Sequence, residues 1–433
     1  MTTKNKINVG LIGYGVVGSG VVQLLQRREE FIRNKFKAEF KIRAIADRSI
    51  HRKNTRGLSK TVLTTSIDKL LADDKIDVVV ELIGGLKPAK DIIMTALKRG
   101  KHVITANKMV IAAHGKELFQ LAVKQNRNLY FESAVGAGTP MINMITDGLA
   151  GNKFSSLYGI INGTCNFILT EMTQNDMTFA QALKEAQKRG FAESNPSLDI
   201  HGHDSAHKLA ILIYLTFGKF IKVEDIYTEG ITQISHLDIE HAEKLNLTIK
   251  LLAIAKKVEH KIEARVHPTL IAKNHPLASI NHIFNAIYLH TRPLGQILLS
   301  GEGAGQMAAA SGIVSDLIHL AASPGEANLL CNLYGEASNL KVRSIDETKS
   351  RFYLRFMASD KPGVLSKITG ILGRYGISIN SVTQKAHVGK SIVPVIMLTD
   401  FAMEKMIRVA LDKIYQLSIV KSKPVAIRME SLS

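Results

Sequence analysis

The chain has 433 residues, with 56 Lys and Arg against 38 Asp and Glu and a formal net charge of +18. This length exceeds one ordinary core and predicts two or three domains. The two cysteines, Cys165 and Cys331, exclude a disulfide framework and a cysteine-based zinc site, and they favour a reducing cytoplasm. No apolar run reaches the roughly 20 residues that span a bilayer. The basic residues are dispersed, so neither a membrane nor a nucleic acid is an expected partner.

The N-terminal block is typical of a strand, a glycine turn and a helix. The apolar segment "INVGLIG" runs into "GYGVVG", which holds Gly13, Gly15 and Gly18 in G-x-G-x-x-G spacing. In a dinucleotide-binding fold these glycines permit the tight turn, the approach of the pyrophosphate and the close packing of helix on strand. Further apolar strands in "KIRAIAD", "KIDVVVELIGG" and "GKHVITANK" predict a parallel, doubly wound sheet.

An acidic residue ends the second predicted strand. Asp47 lies 29 residues after Gly18, later than the usual spacing of about 20, which predicts a longer first crossover through "EEFIRNKFKAEF". Asp47 favours the free ribose hydroxyls of NAD, whereas Arg48, Arg52 and Lys53 favour the extra phosphate of NADP. The expected cofactor is therefore NAD or NADP. The alternative is that Asp47 and Arg48 only occupy a turn.

The middle block runs from about Phe131 to Pro324 and opens with a glycine turn, "FESAVGAGTPMINMI". Near its end, "SGEGAGQMAAASGIVSDLIHLA" predicts a turn and a small-residue helix that packs back on the nucleotide domain. The stretch "SPGEANLLCNLYGEASN" that follows has the composition of a linker.

Within the middle block, "HDSAH" is close to a zinc-protease pattern. His203 and His207 are four residues apart and would share one helix face. Neighbouring helix positions differ by about 100°, so the histidines and the pair Asp204 and Lys208 do not face one pocket centre equally. A zinc ion would also need a distant third ligand, for which Glu240 or His241 were the candidates. We interpret the histidines as polar helix residues or neutral core neighbours, whose protonation modulates Lys208 rather than serving to bind a metal.

The C-terminal block begins near Ser350. The segment "RFYLRFMASDKPGVLSKITGILGRYGISINSVTQ" predicts strand, loop, helix and strand, and "SIVPVIMLTDFAMEKMIRVALDKIYQ" adds a strand and a helix. Together they form a ferredoxin-like β-α-β-β-α-β pattern.

Over nearly its whole length the chain resembles bacterial homoserine dehydrogenases with a C-terminal ACT domain. The motifs that carry the resemblance are "GYGVVG", "TANK", "FESAVGAG", "NGTCNFIL" and "GFAESNPSLDIHGHDSAHKLAI". The resemblance implies an α/β fold made of a Rossmann-type doubly wound parallel sheet, an α+β substrate and oligomerisation domain, and a ferredoxin-like ACT domain. The expected boundaries are 1–130 for the Rossmann domain, completed by about 300–322, 131–300 for the substrate domain, 323–349 for a linker, and 350–433 for the ACT domain.

The implied reaction is the reversible reduction of L-aspartate 4-semialdehyde to L-homoserine with NADH or NADPH, in threonine, methionine and isoleucine biosynthesis. Hydride transfer to an aldehyde leaves an alkoxide that needs a proton. The resemblance assigns this role to Lys208, with Lys108 as a second catalytic cation. It assigns Glu193, Asp199 and Asp204 to the substrate, whose ammonium needs anionic partners. The family commonly has an acidic residue where this chain has Asn195, so the pH optimum of catalysis is expected to differ.

The resemblance also implies cofactor, cation and effector sites. The cofactor-binding positions are Gly13, Tyr14, Gly15, Val16, Val17, Gly18, Asp47, Arg48, Ile83, Gly84, Thr105, Lys108, Gly190 and Gly305. A sodium or potassium ion would be held by Glu132 and the main-chain carbonyls of Val135, Ala137 and Thr139, unless this loop is only a structural turn. Asp360, Pro362, Gly363 and Val364 would form a regulatory site for threonine, and the competing view is a pure dimerisation module. A homodimer or homotetramer is expected.

Two other functions remain open at this stage. One is a nicotinamide-dependent dehydrogenase of another amino-acid aldehyde. The other is a nucleotide or amino-acid sensor without turnover, against which the presence of both Lys108 and Lys208 argues.

Overall fold

The computed structural model describes residues 5–55, 58–59, 62–322, 339–384 and 391–432. Most of the predicted linker, including Cys331, therefore lies outside the described residues. The chain divides into two compact units. The first unit contains Met1–Gly163, Ala206–Asp225 and Ile283–Leu340, and the second contains Thr164–Ser205, Ile226–His282 and Lys341–Ser433. Among the described residues, no helix combines the length and apolarity of a membrane span.

A six-stranded parallel sheet forms the centre of the first unit. In sheet order its strands are Leu63–Thr64, Ala38–Ala46, Asn5–Ile12, Val78–Glu81, His102–Thr105 and Leu129–Tyr130. Every neighbouring pair is parallel. The strand order, third, second, first, fourth, fifth and sixth along the chain, is that of a dinucleotide-binding fold. The predicted doubly wound sheet is thereby confirmed.

Helices cover this sheet. They are Val16–Phe36, Ile67–Ala72, Lys87–Lys98, Lys108–Lys124 and Gln306–Ala322. The first unit also contains the short helix Met141–Asn143 and most of His203–Phe217. The helix Val16–Phe36 has 21 residues, which accounts for the long crossover before Asp47. The helix Gln306–Ala322 lies against it, because Gln306 donates to Ser19 Oγ at 3.0 Å. A Cβ on Gly20 would come within 2.8 Å of Gln306 Cγ.

Three antiparallel strands complete the first unit. Lys153–Ile160 pairs with Phe284–Arg292, which pairs with Gly295–Glu302. Ala286 lies opposite Ile160, the last residue of the strand Lys153–Ile160. Ile161 therefore follows directly at the end of this sheet.

The second unit is built on a long hairpin. Leu247–Val258 and Lys261–Ala272 pair antiparallel along all of their length. The sequence predicted only amphipathic segments here. The helices of this part are Gly163–Gln174, Phe179–Lys188, Ser197–Ile200 and His236–Lys244, and the short strand Tyr227–Thr228 pairs with the hairpin.

The remainder of the second unit has the predicted ferredoxin-like order. Its elements are strand Lys349–Ser359, helix Val364–Arg374, strands Ile379–Gln384 and Ile392–Thr399, helix Glu404–Tyr415 and strand Val425–Met429. Short strands at Lys341–Val342 and Ala402–Met403 flank them. Apolar residues of the first strand, such as Phe352 and Phe356, form its core with Ile368 and Ile407. The last strand also pairs in parallel with Lys261–Ala272.

Candidate active site

The glycine turn leaves an open approach to the N-terminus of the helix Val16–Phe36. Gly13 has a φ of +97°, and a Cβ there would lie 2.8 Å from Leu82 O. A Cβ on Gly18 would lie 2.2 Å from Gly13 O, whereas one on Gly15 would meet nothing within 4 Å. No side chain caps this helix, and its first turn has no acidic residue. The exposed N–H groups therefore suit the negative charge of a pyrophosphate.

Asp47 is held firmly beside this turn. Its carboxylate accepts hydrogen bonds from Tyr14 N at 2.8 Å, from Ser49 N at 2.8 Å and from Lys53 Nζ at 2.6 Å. These donors outweigh the effect of burial and hold the pKa of Asp47 far below its usual range. The carboxylate is ionised at neutral pH, and Lys53 offsets its charge.

A cleft of about 530 Å³ lies beside the turn, with Tyr14, Gly15, Lys53 and Gln306 among its lining residues. Two apolar side chains that follow the two central strands are exposed, Val16 at the start of its helix to 68% and Ile83 to 39%. The first and fourth strands meet at this point, where the order of the sheet reverses and ligands of such folds bind. The glycines, the cleft and these exposed side chains fit a dinucleotide.

A buried acid organises the neighbouring loops. Glu81 accepts from Thr105 Oγ1 at 2.6 Å and from Ile83 N at 2.8 Å. Asn107 then caps the next helix by accepting from Val110 N at 3.2 Å, and it donates to Gly85 O at 2.7 Å. Burial raises the pKa of Glu81. Through this network Lys108, the first residue of its helix, is fixed in the same loop cluster as Ile83, Gly84 and Thr105.

Lys208 is half-buried in the helix His203–Phe217. Its Nζ donates to the main-chain carbonyl of Ile161 at 2.7 Å. This carbonyl comes just before the segment "NGTCNFIL", at the end of the antiparallel strands. This hydrogen bond orients the amine. Asp204 lies one turn earlier in the same helix and is only 6% exposed, and the positive end of the helix dipole favours its negative charge.

The other predicted substrate carboxylates lie before this helix in the second unit. Asp199 is half-buried, and its main-chain carbonyl accepts from Cys165 Sγ at 3.1 Å. Glu193 is exposed, and its carbonyl accepts from Gln187 Nε2 at 3.2 Å. Asn195 Oδ1 accepts from Ser197 Oγ at 2.6 Å and thus organises the turn that enters Ser197–Ile200. Gly190 ends the preceding helix with a φ of +76°.

The predicted cation loop begins at a buried acid, Glu132, which contacts a second buried acid, Asp316, of the helix Gln306–Ala322. Both oxygens of the Glu132 carboxylate accept from main-chain N–H groups, those of Ile142 and Asn143, at 2.8 Å each. Glu132 N donates to Asp316 Oδ2 at 3.0 Å. Burial raises the pKa of Glu132 to about 7 and that of Asp316 well above its usual value. The Glu132 side chain therefore fastens the loop.

The raised pKa values of Glu132 and Asp316 make the folding stability of the chain depend on pH. Because the folded chain keeps the Asp316 proton to higher pH than the unfolded chain, stability falls as pH rises above the unfolded pKa of about 3.9. Asp316→Asn keeps an acceptor for Glu132 N and removes this loss. We expect its melting temperature to exceed that of the unmodified chain by about 2–4 °C at pH 8, with the difference shrinking towards pH 5. Thermal melts across this range measure it. Asp91→Asn, at an exposed position, is the control, and parallel curves for Asp316→Asn and the unmodified chain would contradict the prediction.

The two histidines of "HDSAH" differ in their surroundings, because His203 is exposed and His207 is half-buried. Within the part of the chain that the structure describes, no three His, Cys, Asp or Glu side chains form a group that could hold a metal ion.

The predicted effector loop precedes the helix Val364–Arg374. Gly363 has a φ of +83° and begins this helix without a side-chain cap. Asp360 N donates to Ser391 O at 3.0 Å, and Asp360 Oδ1 accepts from Gln384 Nε2 at 3.3 Å. Uncapped N–H groups at a helix N-terminus suit a carboxylate.

Sequence reasoning missed two buried cations in the second unit. Lys250 donates to Ile280 O at 2.5 Å and to Asn281 Oδ1 at 2.9 Å, and it also contacts Asn166 of the segment "NGTCNFIL". Burial lowers the pKa of Lys250 to about 8. Arg428 on the last strand binds Glu229 and Glu404. The signal in the sequence was one basic residue within an apolar stretch of each strand. Such a residue does not reveal which distant groups it will contact.

Known proteins resemble the chain along its whole length. A family model described as "Homoserine dehydrogenase, NAD binding domain" matches residues 13–132, "Homoserine dehydrogenase" matches 140–318, and "ACT domain" matches 352–418. A homoserine dehydrogenase of Neisseria gonorrhoeae is 38% identical, covering 98% of this chain and 99% of its own. That of Synechocystis is 39% identical, covering 98% and 100%.

Solved structures agree. The homoserine dehydrogenase of Thiobacillus denitrificans superposes with a TM-score of 0.89 at 38% identity, covering 99% of each chain. A hyperthermophilic archaeal homoserine dehydrogenase in complex with NADPH has a TM-score of 0.63 at 29% identity, covering 72% of this chain and 97% of its own. Two homoserine dehydrogenase models match residues 13–132 and 140–318, and full-length relatives match nearly the whole chain. The chain therefore belongs to the homoserine dehydrogenase family.

Proposed function

We propose that the chain catalyses the reversible, NAD(P)H-dependent reduction of L-aspartate 4-semialdehyde to L-homoserine. The observation that carries this proposal is the half-buried Lys208, whose amine is fixed by Ile161 O at 2.7 Å one helical turn after the buried Asp204. A proton donor and an anion are thereby close in sequence on one rigid helix. An amino-acid aldehyde needs both, since its oxygen gains a proton and its ammonium needs a negative partner.

In this mechanism Lys208 gives its proton to the aldehyde oxygen as negative charge develops there, and it takes the proton back in the reverse reaction. The bound cofactor supplies or accepts the hydride. Lys108 contributes a second positive charge, which stabilises the developing alkoxide. Asp199, Asp204 and Glu193 bind the substrate ammonium. The uncapped helix N-terminus at Gly15 holds the pyrophosphate, and Asp47 orients the ribose.

We infer a preference for NADPH over NADH. Lys53 lies 2.6 Å from Asp47 and offsets the charge that would repel a phosphate on the ribose. Arg48 and Arg52 are exposed in the same turn. Three basic side chains next to Asp47, whose charge is offset by Lys53, form a suitable environment for the extra phosphate of NADP.

Regulation, assembly and cation binding are further parts of the proposal. Threonine would bind at Asp360 to Val364, with its carboxylate at the uncapped N-terminus of the helix Val364–Arg374. The assembly would be a homodimer or homotetramer. Sodium or potassium would bind the main-chain oxygens of the loop from Glu132 to Thr139, since the Glu132 carboxylate already accepts two N–H groups.

The test follows loss of reduced-cofactor absorbance with aspartate semialdehyde, with NADPH and NADH in parallel and with or without millimolar threonine. We expect turnover with both cofactors, a higher kcat/KM with NADPH, and inhibition by threonine. Absence of turnover in protein that binds the cofactor would contradict the reaction. An equal or higher kcat/KM with NADH would contradict the preference, and an unchanged rate with threonine would favour a dimerisation role for the C-terminal block.

A further inference from the structure

The last strand of the second unit carries a buried arginine with a complete set of acceptors. Arg428 is 3% exposed. Its Nη1 donates to Glu229 Oε2 at 2.7 Å, its Nη2 to Tyr227 Oη at 2.9 Å, and its Nε to Glu404 Oε2 at 3.0 Å. The guanidinium also lies 4.8 Å from the centre of the Tyr227 ring. Each of its nitrogens is therefore engaged, which fixes the position of Glu229 relative to the last strand.

The main chain next to Glu229 is in close contact with another turn. Ile231 N donates to Ile200 O at 2.9 Å. A Cβ on Gly230 would lie 2.0 Å from Ile200 O, and one on Gly202 would lie 3.3 Å from Glu229 O. The segment from Glu229 to Ile231 thus lies backbone to backbone against the turn from Ile200 to Gly202.

That turn joins two of the proposed substrate carboxylates. Asp199 comes immediately before it, in the short helix Ser197–Ile200, and Asp204 follows in the first turn of the helix His203–Phe217. Gly202, with a φ of +86°, provides the change of direction between them. A shift of Ile200 or Gly202 would therefore displace Asp199 and Asp204 relative to each other.

We propose that Arg428 and Glu229 are positioning residues for the substrate: their ion pair clamps the segment Glu229 to Ile231 against the turn Ile200 to Gly202. The C-terminal strand thereby sets the geometry of the substrate carboxylates without touching the substrate. This inference rests on the proposed substrate role of Asp199 and Asp204. It also gives any ligand of the C-terminal block a physical connection to the substrate site within the same unit.

The chain offers a matched control. Glu229 contacts Arg428 at 2.7 Å with its side chain 25% exposed. Lys256 contacts Glu430, which lies two residues after Arg428, also at 2.7 Å, and the Lys256 side chain is 24% exposed. Glu229→Gln and Lys256→Gln each remove one charge from an ion pair of equal length, but only the first affects the clamp. Tyr227→Phe serves as a milder second variant, because it removes one hydroxyl that both Arg428 and Glu229 use.

We test the clamp by steady-state kinetics with homoserine and by hydrogen exchange of folded, full-length protein. In Glu229→Gln we expect the KM for homoserine to rise about tenfold, with kcat within about twofold and the KM for the cofactor unchanged. Exchange should increase in peptides covering 197–204 and 227–231. Tyr227→Phe should give a smaller change of the same kind, and Lys256→Gln should match the unmodified chain in every measurement.

Each outcome decides between the alternatives. Equal values for Glu229→Gln and the unmodified chain would overturn the inference. Equal KM increases in Glu229→Gln and Lys256→Gln would also overturn it, because they would indicate general loosening of the last strand. The exchange measurement needs no turnover. If the unmodified chain fails to reduce aspartate semialdehyde, the proposed function fails, whereas faster exchange confined to 197–204 and 227–231 in Glu229→Gln would still support the clamp.

Discussion

Replacing Lys208 by alanine is expected to lower kcat by about three orders of magnitude and to leave the cofactor dissociation constant unchanged. The reason is that Lys208 supplies the proton to the aldehyde oxygen, whereas the proposed cofactor contacts lie in the glycine turn and at Asp47. The amine is oriented by Ile161 O at 2.7 Å, and an unchanged cofactor dissociation constant in the variant would show that the loss reflects missing chemistry rather than a disturbed fold. Stopped-flow and steady-state rates with NADPH, together with a fluorescence titration of the cofactor, measure both quantities.

Two further variants separate the charge of Lys208 from its proton. Lys208→Arg keeps a positive charge, but a guanidinium does not release a proton near neutral pH, so kcat should stay low. Lys219→Ala changes a half-buried lysine just beyond the same helix and should retain full activity. Near-normal turnover in Lys208→Ala or in Lys208→Arg would remove the assignment of proton transfer to this residue.

Gly15→Ala is expected to weaken cofactor binding at least tenfold without changing the melting temperature. The free chain has room for this methyl group, because no atom lies within 4 Å of the position of the Cβ, and Gly15 has a φ of −85° that alanine adopts readily. The same methyl would occupy the space through which a pyrophosphate reaches the helix N-terminus. Calorimetric titration with NADPH and a thermal melt test the two halves of the prediction.

Neighbouring glycines give the comparison for this variant. Gly373→Ala, in an open position of a C-terminal helix, should leave the NADPH affinity unchanged and raise the melting temperature slightly, because alanine favours a helix over glycine. Gly18→Ala should instead destabilise the fold, because its Cβ would lie 2.2 Å from Gly13 O. Unaltered NADPH affinity in Gly15→Ala would show that the cofactor does not approach this turn.

The sequence predicted those parts of the fold that depend on local patterns. Glycine spacing after an apolar strand predicted the turn at Gly13, and alternating apolar strands and helices predicted the parallel sheet, because each signal lies within a few residues. The C-terminal β-α-β-β-α-β order was predicted in the same way. The two 12-residue strands of the hairpin were not recognised, since runs such as "TIKLLAIAKK" fit a buried strand and a helix equally well.

The candidate site was predicted only in part, for a physical reason. Asp204 and Lys208 are four residues apart on one helix, so their relation follows from helical geometry. Arg428 and Glu229 are 199 residues apart, and no local rule joins them. Long-range pairs of this kind arise from strand pairing, here between the last strand and Lys261–Ala272. The acceptors of Lys250 were equally beyond prediction, because they are main-chain and amide oxygens of a distant loop.

The pairing of the last strand bears on how a C-terminal block of this kind can be gained or lost. Val425–Met429 belongs to the C-terminal fold through Lys349–Ser359, and it also extends the sheet of the long hairpin through Thr269 and Leu270. Truncation near residue 350 would thus remove the strand that pairs with Thr269 and Leu270, and with it Arg428, the ion-pair partner of Glu229. An unprotected strand edge of this kind favours aggregation. The C-terminal block thus shares strand pairing with the long hairpin and does not merely follow it in the sequence. Substitutions within the C-terminal block can leave this strand pairing intact, whereas truncation removes it.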